Sequence, residues 1–315
     1  MASVNSVSGL LKSTDIGTTL VHEHIITSHE TVVAAFPRVF DKEKAVQSAT
    51  AQIEAVQKRG VMTICDPSVA GIGRDINLIK EVVKRTNLQV VVATGYKTDA
   101  DLPNYLRNRS VDNLADLFVA DIEQGIQGST VKAGFLKCAI ELPGLTKDVE
   151  KVLRAVARAH HKTRAPIMTH SVPANKSGLI QQDVLKEEGV DMKFVQIGHS
   201  GDTKDIDYLR EICDRGSFIG MDRYGTTTPL STSERNSTVL KMCELGYESK
   251  MMLSQDFSGY SMNVTEEMKK KNWVPNRSLS YLFDEVIPAL KKEGLTDSQV
   301  KLMLEDNVRN WLFHE

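Results

Sequence analysis

The chain carries almost no net charge. Its 39 Lys and Arg residues against 41 Asp and Glu leave a formal −2 over 315 residues. That balance removes the long-range attraction on which binding to nucleic acid or to an anionic membrane depends. No apolar run approaches the roughly 18 residues of a membrane span. The opening Met1-Ala2-Ser3-Val4-Asn5 has neither the basic nor the apolar block of a secretory signal. Cysteine is scarce: Cys65, Cys138, Cys213 and Cys243 stand far apart with no Cys-x-x-Cys pair. A zinc ribbon is excluded by that spacing, and free buried thiols in a reducing, cytoplasmic setting are expected rather than disulfides. A glycine-rich phosphate loop is also missing. No G-x-G-x-x-G follows an early strand, and Gly71-Ile72-Gly73 reads as a loop turn.

What is present is alternation. Short β-rich apolar runs at 18–22, 61–65, 89–94, 134–139, 166–170, 194–199, 217–222 and 251–256 read as eight strands. Several are apolar on both faces, as strands of a buried parallel sheet are. Between and after them lie segments of helical periodicity: 42–59, 75–85, 111–126, 147–161, 178–188, 205–215, 232–246, 279–294 and 298–311. With no long linker or low-complexity stretch, this predicts one α/β domain over residues 1–315, a (β/α)8 TIM barrel. A doubly wound open sheet is the main competitor, and the missing phosphate loop counts against it. Residues 1–17, with Ser8-Gly9 as a turn, are expected to cover the barrel's bottom or side.

The chain is organised around Leu20-Val21-His22-Glu23-His24. Side chains on a strand alternate faces, so His22 and His24 point one way and Glu23 the other. Two adjacent imidazoles can hold a divalent metal, although a pair of half-buried strand histidines explains this motif equally well. The other strand ends decide the matter. A barrel places its active site at the C-terminal ends of its strands. Those ends carry His22 and His24, Asp66, Gly95, Lys137, His170, His199, Asp222-Arg223 and Asp256. Four of the eight histidines converge there, and His29, His160, His161 and His314 are assigned to loop or helix surface.

Four imidazoles and a carboxylate suit a borderline metal such as zinc and are too rich in nitrogen for magnesium or calcium. Six candidate ligands exceed one tetrahedral site but match two ions about 4 Å apart. Lys137 is the odd member. Burial lowers a lysine's pKa, and its neutral amine can add carbon dioxide to give an anionic carbamate that bridges well. A lysine paired with an outer carboxylate is the simpler alternative.

Together, His22-x-His24, Ala133-Gly134-Phe135-Leu136-Lys137, Thr169-His170-Ser171, Gly198-His199 and Ser254-Gln255-Asp256 follow the order of the amidohydrolase superfamily. Within it, the chain resembles the phosphotriesterase-like lactonases. The likeness spans nearly the whole chain, through Gly71-Ile72-Gly73-Arg74-Asp75, Asp101-Leu102-Pro103, Gly125-Ile126-Gln127-Gly128 and Asp222-Arg223-Tyr224-Gly225. The resemblance implies that His22, His24 and Asp256 hold a more buried metal, that His170 and His199 hold a more exposed one, and that Lys137 bridges them as a carbamate. It implies attack by a bridging hydroxide on a lactone or related ester, with Asp256 passing the proton to the leaving alkoxide, and organophosphate hydrolysis as a side reaction. It further implies a homodimer with two divalent ions per chain: zinc first, with cobalt, iron or manganese also suited.

Two positions depart from the resemblance. Lys97, with Tyr96 before it, stands where such lactonases carry an aromatic over the metals. Asn263 stands where they carry a tryptophan platform in the loop 257–275, with Phe257 and Tyr260 nearby and Trp273 further on. An added cation and a missing platform point to a more polar or anionic ester, amide or phosphate ester. Tyr96, Lys97, Arg223, Phe257 and Tyr260 are the substrate-binding candidates, Arg223 being equally readable as half of a structural ion pair. Asp66, before Pro67, reads as a loop cap, and Cys65 and Cys138 as small core hydrophobes. Glu23 and Glu141 could orient ligands from behind or serve as surface salt-bridge partners, and Gln255 belongs behind the ligands. Two other classes compete: a Schiff-base lyase using Lys137, and a metal-binding protein without turnover. The first leaves the four convergent histidines and Asp256 unexplained, and the intact ligand set weighs against the second.

Overall fold

A computed structural model describes residues 2–314. It contains twelve strands: β1 (Ser3–Ser6), β2 (Gly9–Lys12), β3 (Thr18–Leu20), β4 (His24–Thr27), β5 (Val61–Asp66), β6 (Gln89–Gly95), β7 (Phe135–Ala139), β8 (Ile167–His170), β9 (Val195–Gly198), β10 (Phe218–Met221), β11 (Met251–Leu253) and β12 (Ser258–Ser261). Eight of them, β3 and β5 through β11, pair in chain order in one all-parallel sheet. The sheet curls into a nearly closed barrel. At its seam, β11 and β3 are joined by loop contacts rather than a ladder. The His22 N–H donates to Ser254 Oγ (3.0 Å), and the Asp256 N–H donates to the His22 carbonyl (3.1 Å).

The barrel strands are buried on both faces, which is why they read as continuous apolar runs. One apolar cluster fills the interior, with Val21, Val91, Phe135, Met168, Phe218 and Met252. The second lies between strands and helices. Helices at Lys42–Gln57, Ile76–Thr86, Val111–Glu123, Lys147–Thr163, Ser177–Glu187, Ile206–Asp214 and Thr232–Glu244 match the periodic segments to within a few residues. Most open on a side-chain cap: Asp41, Asp75, Ser110, Thr146 and Asp205 each accept a first-turn N–H, and Ser231 with Glu234 forms a capping box. The last two helical segments pass through π turns at Leu282–Val286 and Leu302–Asp306.

The N-terminal residues form a hairpin of β1 and β2. Val4 and Leu11 on it join the interior cluster beside Phe135 and Trp311, closing the end of the barrel opposite the strand C-termini. Short helices at Glu30–Ala35, Asn104–Arg107 and Glu266–Asn272 ornament the strand-to-helix loops and are too short to carry a readable period. The first strand ends at Leu20, two residues earlier than expected, because the chain bends at 21–23 and restarts as β4. There it pairs with β12 above the barrel wall. His160 is the second difference: it is buried, not on the surface. It follows Leu153 and Val156 on the inward stripe of its helix, and its Nδ1 donates to the Ala165 carbonyl (2.8 Å). Gly95 lets β6 approach β7 at the level of Lys137, where a Cβ would lie 1.9 Å from the Lys137 carbonyl oxygen. Among the described residues, no helix is long and apolar enough to cross a membrane.

Candidate metal centre

The strand ends bring His22, His24, Lys137, His170, His199 and Asp256 to one wall of a cavity of about 390 Å³. Nε2 of His24 lies 3.3 Å and Nε2 of His22 lies 3.8 Å from the same oxygen, Oδ1 of Asp256. Ligand atoms of His22, His199 and Asp256 all fall within 4.8 Å of one another. The four imidazoles form a continuous cluster, with ring centroids 5.8 Å apart for His22 and His24, 4.7 Å for His22 and His199, and 4.2 Å for His170 and His199. The bend at 21–23 preserves the alternation: both histidines face Asp256 while Glu23 turns away toward the backbone of 254–257.

Three of the four rings are fixed from behind. Asp222 accepts from Nδ1 of His22 through Oδ2 (3.1 Å) and from Nδ1 of His199 through Oδ1 (2.9 Å). Nδ1 of His24 meets Ser68 Oγ at 2.7 Å. Asp66 accepts the N–H groups of Ile25 and Ser68 (3.0 and 2.8 Å), so it caps a loop rather than reaching the cavity. Holding Nδ1 in this way turns the Nε2 of these three rings toward the cavity, as metal-binding histidines require. His170 is arranged the other way round, with Nε2 3.1 Å from Glu141 Oε1.

Burial controls the charge states. It pushes His22 down to about 4, with Lys137 adding to the shift, and carries His199 well below the usual imidazole value and His170 in the same direction. These three rings are therefore neutral near pH 7. Burial also draws the Lys137 ammonium down to about 8. That amine is 3 % exposed, and its one hydrogen bond is to the Thr169 carbonyl (3.2 Å). Burial disfavours the Asp256 carboxylate, but the contact with His24 and the Arg223 guanidinium beside it outweigh that and hold Asp256 well below the ordinary range. Neutral nitrogen donors, an ionised carboxylate and a lysine amine with an accessible neutral form fit a pair of borderline metal ions.

Around this floor, Lys97 and Arg223 line the cavity. Arg223 spans two carboxylates, Asp202 (Nη1, 2.8 Å) and Asp256 (Nε, 3.3 Å), and Arg235 pairs with Asp202 from behind at 2.6 Å. Arg223 is thus both an ion-pair member and a wall of the cavity. Lys97 is not a bare cation: its ammonium meets Glu141 at 3.0 Å and Asp99 at 2.8 Å. Three other candidates lie outside the lining. Tyr96 bridges to Ala70 and packs against the outer apolar cluster. Phe257 is buried behind the wall, 5.9 Å from the Trp273 ring. Tyr260 stacks on Phe40 (5.9 Å) beside a neighbouring hollow.

Residues outside the substrate-binding candidates complete the wall. Trp273 and Arg277 line it together with Val264, Asn263 and Asn272. The Arg277 guanidinium lies 4.4 Å from the Trp273 centroid, and both side chains line the cavity. Asp222 stood in view as a strand-end carboxylate, and its double acceptance from two rings appears only once the ends of β3, β9 and β10 meet at the barrel mouth. Arg277 carried no motif.

Comparison with known proteins agrees with this geometry. The Phosphotriesterase family model matches residues 2–312. An aryldialkylphosphatase of Saccharolobus solfataricus is 42% identical over 302 residues, covering 96% of each chain. The solved structure of the phosphotriesterase from Mycobacterium tuberculosis superposes with a TM-score of 0.94 at 41% identity, covering 98% of both chains. A more distant N-acetyltaurine hydrolase of Danio rerio is 22% identical over 98% of this chain and 97% of its own. With its eight-stranded barrel and its cluster of imidazoles around Asp256, the chain belongs to the phosphotriesterase family and is a metal-dependent hydrolase.

Proposed function

We propose that this chain is a binuclear lactonase that opens γ- or δ-lactones, acyl-homoserine lactones among them, with organophosphate triester hydrolysis as a side reaction. The observation that carries the reading is the convergence of four imidazoles, Lys137 and an ionised Asp256 on one cavity wall. His22, His24 and Asp256 would hold the more buried ion, and His170 and His199 the more exposed one. Lys137 would be shared between them after its neutral amine adds carbon dioxide, forming a C–N bond and releasing one proton. Two bound transition ions, zinc first, would supply Lewis-acid polarisation of the scissile carbonyl or phosphoryl group and a more acidic attacking water.

The chain's own residues do the rest. Asp256 is ionised and turns Oδ1 toward His24 and Oδ2 toward Arg223, so it can accept the proton of the attacking water and return it to the leaving alkoxide. Arg223 holds that carboxylate in place while Asp202 and Arg235 hold Arg223. Trp273 and Val264 give the substrate's non-reacting part an apolar wall, which suits an acyl chain.

A second reading, hydrolysis of an amide or ester with an anionic tail, is favoured by Arg277. Its guanidinium lines the cavity, and its Nε is buried with no hydrogen-bond partner. The relation to N-acetyltaurine hydrolases supports the same direction. Lys97 does not, because Glu141 and Asp99 already offset its charge. The deciding experiment sets γ- and δ-lactones, a phosphotriester and an N-acyl amino sulfonate against one metal-loaded preparation. The lactonase reading predicts the highest kcat/KM on a lactone; a preference for the sulfonate would replace it with the second. Homodimer formation and a cytoplasmic site belong to this proposal, and light scattering tests the first.

A further inference from the structure

Asp256 has a backbone φ of 50°. A side-chain-bearing residue stays in that left-handed region only where its surroundings over-determine it, and here the surroundings can be named. Oε1 of Glu23 accepts from the Gln255 N–H (2.8 Å) and from Ser254 Oγ (2.7 Å), and Oε2 accepts from the Phe257 N–H (2.7 Å). The carboxylate thus binds the amides on both sides of Asp256. The Asp256 N–H itself donates to the His22 carbonyl (3.1 Å), and the His24 N–H donates to the Phe257 carbonyl (2.8 Å). From the far side, Nη2 of Arg277 donates to the carbonyls of Gln255 (2.8 Å) and Asp256 (2.9 Å). Every backbone polar group of 255–257 is taken.

We propose that Glu23 and Arg277 are positioning residues that hold Asp256 against the His22–His24 segment in its ligating orientation. This accounts for a glutamate between the two histidines: alternation sends it out of the cavity and onto the one turn that must be held in register with them. The inference rests on the metal-dependent reading of the site and adds the device that sets its carboxylate. Two acceptor oxygens are required. A glutamine has one acceptor oxygen and one donor amide, so in either orientation at least one N–H beside Asp256 would face a donor.

The test is a double-mutant cycle on the full chain, read as metal affinity by chelator competition, with the melting temperature of the metal-free protein alongside. Glu23→Gln should weaken metal binding by about 10–100-fold. In an Asp256→Asn background the same change should cost less than about twofold, because the group it positions is already lost. Full additivity, or wild-type affinity in Glu23→Gln, would overturn the inference. Should Glu23→Gln fail to fold, Arg277→Met removes the other staple and carries the same expectation. A wild-type protein that takes up no metal would defeat the metal-dependent reading; metal uptake with an additive cycle would defeat the positioning role alone.

Discussion

Oδ1 of Asp222 receives both the backbone N–H and the ring Nδ1 of His199, each at 2.9 Å. A buried carboxylate accepting from Nδ1 fixes the tautomer, so Nε2 of His199 is bare and faces the cavity. Its other oxygen does the same for His22 at 3.1 Å. One side chain therefore orients two of the four imidazoles.

Asp222→Asn keeps the shape and removes the charge. The expected result is a fall in metal affinity of about 10–100-fold, with a folded protein by circular dichroism. Wild-type affinity in this variant would show that the rings are held by packing alone.

Lys137 is the chemically unusual member of the site, and the carbamate proposed for it would make its metal role depend on carbon dioxide. Metal uptake by the metal-free protein should slow in carbon dioxide-depleted buffer and recover with bicarbonate. Carbon-13 NMR with labelled bicarbonate should show a carbamate resonance that is absent in Lys137→Ala, a variant that should also lose metal and most activity. Uptake indifferent to carbon dioxide would return Lys137 to a plain structural amine.

Lys97→Ala leaves Glu141 beside His170 without its cationic partner. Metal content should be retained. Activity on anionic substrates should fall several-fold more than on neutral lactones, since the net charge of the wall becomes more negative. Equal kinetics on both substrate types would remove Lys97 from any account of specificity.

His160 makes a pH-dependent contribution outside the candidate metal centre. Burial pushes it down to about 4 from an ordinary 6.5, so the folded chain binds this proton less readily than the unfolded one. Its stabilising effect is present above pH 6.5 and lost as pH falls through about 4, at most about 3 kcal/mol in all. Urea midpoints at pH 7, 5 and 4 should fall less steeply for His160→Leu than for the wild type. Parallel curves would contradict this.

The barrel was legible because its strands are buried on both faces and its helices keep a clean period. The candidate ligands were legible because they stand at strand ends, where a period-two register and the barrel rule name one position each. The substrate wall was less so. Trp273 and Arg277 reach the cavity from an irregular loop whose path no periodicity reports, and Lys97 rather than Tyr96 faces inward by a difference of one residue. The partnership of Lys97 with Glu141 joins the ends of β6 and β7 and becomes visible only when those strands are paired. His160 was misplaced because a histidine on an inward helical stripe resembles a polar surface residue in sequence.

The most direct test of the central claim is metal content per chain, measured on protein purified without added metal, beside lactone hydrolysis by the wild type and by Asp256→Asn. The account predicts two transition-metal ions per wild-type chain and turnover that Asp256→Asn abolishes. A chain that binds no metal, even after incubation, or that hydrolyses lactones equally well without Asp256, would contradict it.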